Sequence, residues 1–155
     1  MARKPRRVLP RLRARFDRLR PAIQPGDRWE LLVVCPRCQA CARLVRSWVA
    51  EDAAGGSRMR DRLSCGRCGM VQDDPPRLRW WLRTPCCGHV LWATSIRHLE
   101  LLAAFVAVPL RERLHHNWPD RELLATLPRW LILARHREEV LRGLERLRRM
   151  LPAEP

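Results

Sequence analysis

Cys35-Pro36-Arg37-Cys38 and, after 26 residues, Cys65-Gly66-Arg67-Cys68-Gly69 decide how this chain is read. Each is a Cys-x-x-Cys with turn-forming residues at its bend, so both thiolates of a pair can face one ion while backbone N–H groups face the sulfurs. Two such knuckles complete a tetrahedral four-cysteine site, a donor set that suits zinc and leaves no open position for a substrate. The expectation is one structural Zn²⁺ held by Cys35, Cys38, Cys65 and Cys68. The long spacing is accommodated by Ala53-Ala54-Gly55-Gly56-Ser57, which reads as a loop tip.

Strand-like runs flank both knuckles. Trp29-Glu30-Leu31-Leu32-Val33-Val34 enters the first and residues 42–49 leave it; residues 58–64 enter the second and Met70-Val71-Gln72 leaves it. Asp73-Asp74-Pro75-Pro76 then breaks the sheet, and residues 77–83 and 90–93 predict a further hairpin across Thr84-Pro85-Cys86-Cys87-Gly88-His89. After Thr94 or Ser95, either of which suits an N-cap, the period turns helical, with Leu99, Leu102, Phe105 and Val106 on one face. Pro109 ends or kinks that helix, Pro119 opens a second, and residues 130–134 form a short helix or the first turns of the last one. That last helix carries Val140, Leu144, Leu147 and Leu151 as its apolar stripe, with Arg142, Glu145, Arg146 and Arg149 outside it. The predicted fold is α+β: a zinc-ribbon sheet region over 29–93, and a helical region over 94–151 packed on it. Residues 1–21 precede both as a basic leader, either disordered or helical.

Composition narrows the function. The 155 residues carry a net charge of +15, and residues 1–20 alone contribute nine basic side chains against Asp17. An anionic partner such as nucleic acid is the usual meaning of that sign. Lys4 is the single lysine, so there is no Gly-x-x-x-x-Gly-Lys phosphate loop for a nucleotide and no lysine in the folded part for Schiff-base chemistry. Seven cysteines is an odd number and no apolar signal segment opens the chain, which points away from a secreted disulfide framework and toward the cytoplasm. The apolar run at residues 101–110 is about half of the roughly 20 residues a membrane span needs, so no membrane partner is expected.

A second constellation is Cys86, Cys87 and His89. It could form a second metal site with a distant ligand such as Cys41 or His98, but adjacent residues of an extended segment point to opposite faces. A thiolate nucleophile activated by His89 would need a third group to orient the ring, and the sequence shows none. The reading the residues favour is a tight turn in which Gly88 takes an unusual backbone angle, one cysteine is buried and His89 is hydrogen-bonded locally. Cys35-x-x-Cys38-x-x-Cys41 opens like an iron–sulfur run but lacks its continuation. His115-His116 reads as a solvated loop pair. Trp81, Trp92 and Trp130 are expected in the core, and Trp29 and Trp48 nearer the surface.

The run Trp80-Trp81-Leu82-Arg83-Thr84-Pro85-Cys86-Cys87-Gly88-His89-Val90-Leu91-Trp92-Ala93, with His98-Leu99-Glu100, Leu127-Pro128-Arg129-Trp130 and Arg137-Glu138-Glu139-Val140-Leu141, resembles an uncharacterised family of small bacterial proteins described as carrying a transcription factor IIB-type zinc ribbon. The resemblance covers about residues 29–149 and implies the fold, the zinc and a bacterial cytoplasmic setting; it brings no established activity. The functional expectation is a non-enzymatic, zinc-binding protein that contacts nucleic acid or the transcription apparatus. Arg37 and Arg67 in the knuckles and Arg43, Arg46, Arg58, Arg60 and Arg62 beside them would contact phosphates. The alternative is a zinc-stabilised adaptor holding a protein partner, and an enzyme using Cys86, Cys87 or His89 ranks third.

Overall fold

The computed structural model describes residues 28–50, 57–108, 124 and 127–152. The leader, the loop tip at 53–56, the Pro109 and Pro119 readings and His115-His116 lie outside them.

Six strands come first: β1 (Arg28–Val34), β2 (Cys41–Ala50), β3 (Ser57–Ser64), β4 (Val71–Asp73), β5 (Leu82–Cys86) and β6 (His89–Ala93). The first four form one antiparallel sheet in chain order, and β5 and β6 form a separate hairpin. Strand β1 joins the two. Its inner edge pairs with β2, in a register that sets Leu31 opposite Leu44. Its outer edge is taken by the chain around the hairpin: Trp81 N–H donates to the Leu32 carbonyl at 3.0 Å, Leu32 N–H to Thr94 at 2.7 Å, and Val34 N–H to Arg79 at 2.8 Å. An edge that could recruit another chain is thereby covered.

Alternation along β1 divides the interior. Val33 joins a small cluster with Cys35, Ala42, Leu44, Leu63 and Cys65, whereas Leu32 points the other way into a larger one. That larger core is built by β5, β6, helix α1 (Ile96–Ala107), the one-turn helix α2 (Arg129–Ile132) and helix α3 (Arg137–Arg149). Ser95 is the N-cap of α1, its hydroxyl accepting from His98 N–H at 3.1 Å. Leu99, Leu102 and Val106 are buried, as the period predicts, while Phe105 is half-buried. A 3₁₀ turn over Ala134–His136 separates α2 from α3, so the short helix is distinct from the last one. In α3, Val140, Leu144 and Leu147 form the buried stripe; the helix ends at Arg149, and Leu151 beyond it is half-buried. Glu138 and Glu139 in its first turn and Arg146, Arg148 and Arg149 in its last complement the helix dipole.

The mixed α+β content and the C-terminal helix agree with the sequence. The second hairpin differs. Its turn is only Cys87-Gly88, and β5 runs straight through Thr84-Pro85-Cys86. Pro85 sits opposite Val90 on a two-stranded ribbon, where a missing N–H can face outward and leave no ladder partner unsatisfied. No helix among the described residues is long and apolar enough to cross a membrane.

Candidate metal centre and basic face

Both knuckles fold the same way. In the first, Cys35 N–H donates to Ala40 at 2.8 Å and Gln39 N–H returns to Cys35 at 3.0 Å; in the second, Cys65 N–H donates to Met70 and Gly69 N–H returns to Cys65, each at 2.9 Å. The return bond requires a left-handed residue. Gly69 supplies it at φ 68°, and Gln39 adopts it at φ 59° despite its side chain. That side chain is anchored: its amide lies 3.4 Å and 3.3 Å from the Cys35 and Pro36 carbonyls, and its oxygen accepts from Arg79 at 2.6 Å.

The register of β2 and β3 brings the knuckles face to face. Cys35 Sγ is 3.8 Å from Cys68 Sγ, Cys38 Sγ is 3.6 Å from Cys65 Sγ, and all four sulfurs lie within 4.8 Å of one another. Metal–sulfur bonds of about 2.3 Å in a tetrahedron would set sulfurs about 3.8 Å apart. The four cysteines are therefore close enough to hold a metal ion. The N–H of Cys38 chief among its causes, the Cys35 thiol is pulled down to about 7 against the cost of burial. At Cys38 the N–H of Ala40 favours the thiolate, but desolvation and the sulfurs of Cys65, Cys68 and Cys35 outweigh it, and the thiol is pushed up to about 11. Cys35 is thus drawn toward the thiolate while Cys38 is held toward the thiol.

The arginines separate by face. Pairings Arg43↔Ser64, Val45↔Arg62, Ser47↔Arg60 and Val49↔Arg58 put Arg43, Arg58, Arg60 and Arg62 on one side of the sheet. Arg46 lies on the other side, opposite Asp61, which holds it in two hydrogen bonds of 2.7 Å. Arg46 is thus committed to a bidentate ion pair. On the basic side, Glu30 pairs with Arg43 at 3.3 Å and Asp73 with Arg62 at 3.4 Å, both exposed. Arg37, Arg60 and Arg67 are exposed and have no carboxylate partner among the described residues. On α3, Glu145 takes Arg148 and Arg149. Trp29 and Trp48 are half-buried on the Arg46 side, less open than the sequence suggests. Trp81 and Trp130 pack against the larger core; Trp92 lies against Trp80, with ring centroids 6.5 Å apart.

The second cysteine cluster is the tight turn expected, with Gly88 left-handed and Cys86 buried, but it brings the two sulfurs together instead of setting them on opposite faces. Cys87 has φ 51° and Gly88 φ 73°, so both residues of the turn are left-handed, as in a type I′ hairpin. The opposite-face rule for strands therefore ends at Cys86, and the two sulfurs stand 3.6 Å apart. His89 turns away to stack on Trp130 at 4.8 Å. The third member of the group is Glu139 from α3, whose carboxylate accepts from Cys87 N–H at 2.6 Å. Neither His98, which accepts from Thr94 N–H at 3.2 Å, nor half-buried Cys41 belongs to the group. Desolvation first, then Cys86 and Glu139, push the Cys87 thiol up to about 12, and burial also raises Cys86. The Cys87 N–H holds Glu139 below its ordinary value. Thiols so biased toward the protonated form are poor nucleophiles.

Compared with known proteins, the chain matches no family model, no curated sequence and no solved structure.

Proposed function

We propose that this protein is a zinc ribbon that binds nucleic acid through the phosphate backbone, as a non-enzymatic, transcription-associated factor. Zinc is the metal that fits four thiolates at this spacing without imposing a d-electron geometry, and with four protein ligands its role is structural. The observation that carries the reading is the matched pair Arg37 and Arg67. Each occupies the third position of its knuckle, exposed and without a carboxylate partner among the described residues, and Arg60 adds a third such cation on the adjoining sheet. Side chains of this kind set position on a phosphate chain and read no sequence. Arg43, Arg58 and Arg62 lie on the same sheet face as Arg60 and widen the footprint.

A shallow cleft of about 290 Å³ beside the first knuckle adds Arg79, Arg83 and the ring of Trp80 among its lining residues. An aromatic platform between cations suits a stacked base of a single strand. A second reading, a zinc-stabilised adaptor for a protein partner, is favoured by the ion pairs that partly neutralise Arg43 and Arg62 and by exposed Val90 at the same cleft.

Fluorescence anisotropy of the zinc-loaded full chain with short single- and double-stranded DNA and RNA tests the reading across a salt series. Each phosphate contact contributes about 0.7 to 0.9 to the slope of log K against log salt. The expected result is binding with a steep slope that flattens by roughly 2 to 3 units in the Arg37→Ala/Arg60→Ala/Arg67→Ala variant. No binding at low salt, or a slope untouched by the three substitutions, transfers the case to the adaptor.

A further inference from the structure

Away from the knuckles, the hairpin turn and the last helix converge on a second set of donors. We propose that Cys86, Cys87 and Glu139 form a separate binding site for a thiophilic d¹⁰ divalent cation, Zn²⁺, with its fourth position open to solvent.

Three features of the fold carry this. The sulfurs of Cys86 and Cys87 are 3.6 Å apart, the same separation as the Cys38–Cys65 pair. That proximity is made by the left-handed Cys87, a conformation that non-glycine residues seldom adopt. The third donor comes from an element 52 residues away in sequence, and all three ligand atoms lie within 4.8 Å of one another. Glu139 is oriented by the Cys87 N–H, the kind of secondary hydrogen bond that fixes ligating carboxylates.

The approach of α3 that delivers Glu139 depends on Gly143, one turn later on the same face. A Cβ there would stand 2.8 Å from Leu91 Cδ2 and 3.4 Å from Cys86 Sγ. Arg146 completes the surroundings, donating to Thr84 Oγ1 at 3.2 Å and to the Pro85 carbonyl at 2.9 Å. Its charge suits the filled site: two thiolates and one carboxylate around Zn²⁺ leave a net charge of −1. On uptake, two S–H bonds break, two Zn–S bonds and one Zn–O bond form, and two protons leave to solvent. Cys86 is buried, Cys87 half-buried and Glu139 exposed, so water can reach the remaining position. Three ligands instead of four make this the weaker and more exchangeable of the two sites.

Native mass spectrometry of the full chain saturated with Zn²⁺ tests the proposal, with Co²⁺ as the optical probe. Two ions per chain are expected in the unsubstituted protein, and one in Cys87→Gly, a change that relieves the positive φ and leaves the turn intact. Cys87→Asn, also tolerant of that backbone, is expected to match it. Glu139→Gln retains an acceptor for the Cys87 N–H but is expected to hold the second ion at least about tenfold more weakly. The second Co²⁺ equivalent should show roughly half the sulfur-to-metal charge-transfer intensity of the first, having two thiolates instead of four. A single ion in the unsubstituted chain, or two ions retained in both Cys87 variants, overturns the proposal.

Discussion

The two halves of this molecule are held together by different means. Around the knuckles the interior among the described residues is six buried side chains, two of them the cysteines Cys35 and Cys65 that also belong to the four-sulfur cluster. The larger cluster, built by β5, β6 and the helices with Leu32 from β1, holds twelve among the described residues, including Leu82, Leu91, Leu99, Leu102, Val140 and Leu147. A core as small as the first cannot offset the conformational entropy of four strands by apolar burial alone, whereas the second has a buried stripe from each of two helices. The difference teaches where the metal matters. On the proposed reading, zinc takes over the work that a larger core performs elsewhere.

The sharpest way to break the comparison is to remove the metal. Chelation of the zinc-loaded protein is expected to unfold the knuckles and the β1–β4 sheet while leaving most of the helical circular dichroism, because apparent binding energies at four-thiolate sites reach about 10 kcal/mol or more. Amide exchange resolved by residue checks this: protection should vanish at Leu44 and Leu63 and persist at Leu102 and Leu144. Loss of both together would mean that β1, which feeds Leu32 to one core and Val33 to the other, couples the halves into one cooperative unit.

A smaller effect is expected from the opposite side. Leu147→Ala deletes a fully buried side chain from the stripe of α3 and should cost about 2 to 5 kcal/mol in denaturant unfolding. Zinc stoichiometry at the knuckles should be unchanged, since Leu147 belongs to the larger core. A variant that loses the knuckle ion shows that the helical half supports the ribbon and does not merely adjoin it.

How much of this was legible beforehand follows from distance along the chain. The knuckles, the strands that flank them and the stripe of α3 are local patterns, and each was readable from periodicity or from two cysteines at fixed spacing. The hairpin turn lies inside the expected span of residues 84–89 but is only two residues long, because it needs two left-handed residues and only Gly88 announces one. Glu139 could not be found at all: its role depends on α3 docking against the hairpin through Gly143, which sequence spacing does not encode. Arg46 was grouped with Arg43 by composition, and only the register with β3 reveals that Asp61 faces it.

Within the ribbon, the two knuckles offer the finest contrast. Gly69→Ala forces a side chain into φ 68° and should cost about 1 kcal/mol, with nothing within 4 Å to add a clash. At Gln39 the same strain is already present, so Gln39→Gly relieves about 1 kcal/mol of it. Against that gain stand the added freedom of glycine in the unfolded chain, about 0.5 to 1 kcal/mol, and the lost bond from Arg79. Before that bond is counted, strain and chain freedom balance to within about 0.5 kcal/mol, which lets one knuckle carry glutamine where the other carries glycine. Thermal unfolding of the two zinc-loaded variants decides it. A clear loss in Gln39→Gly would assign the difference to the Arg79 tether, and with it a structural role for the cleft that Arg79 lines.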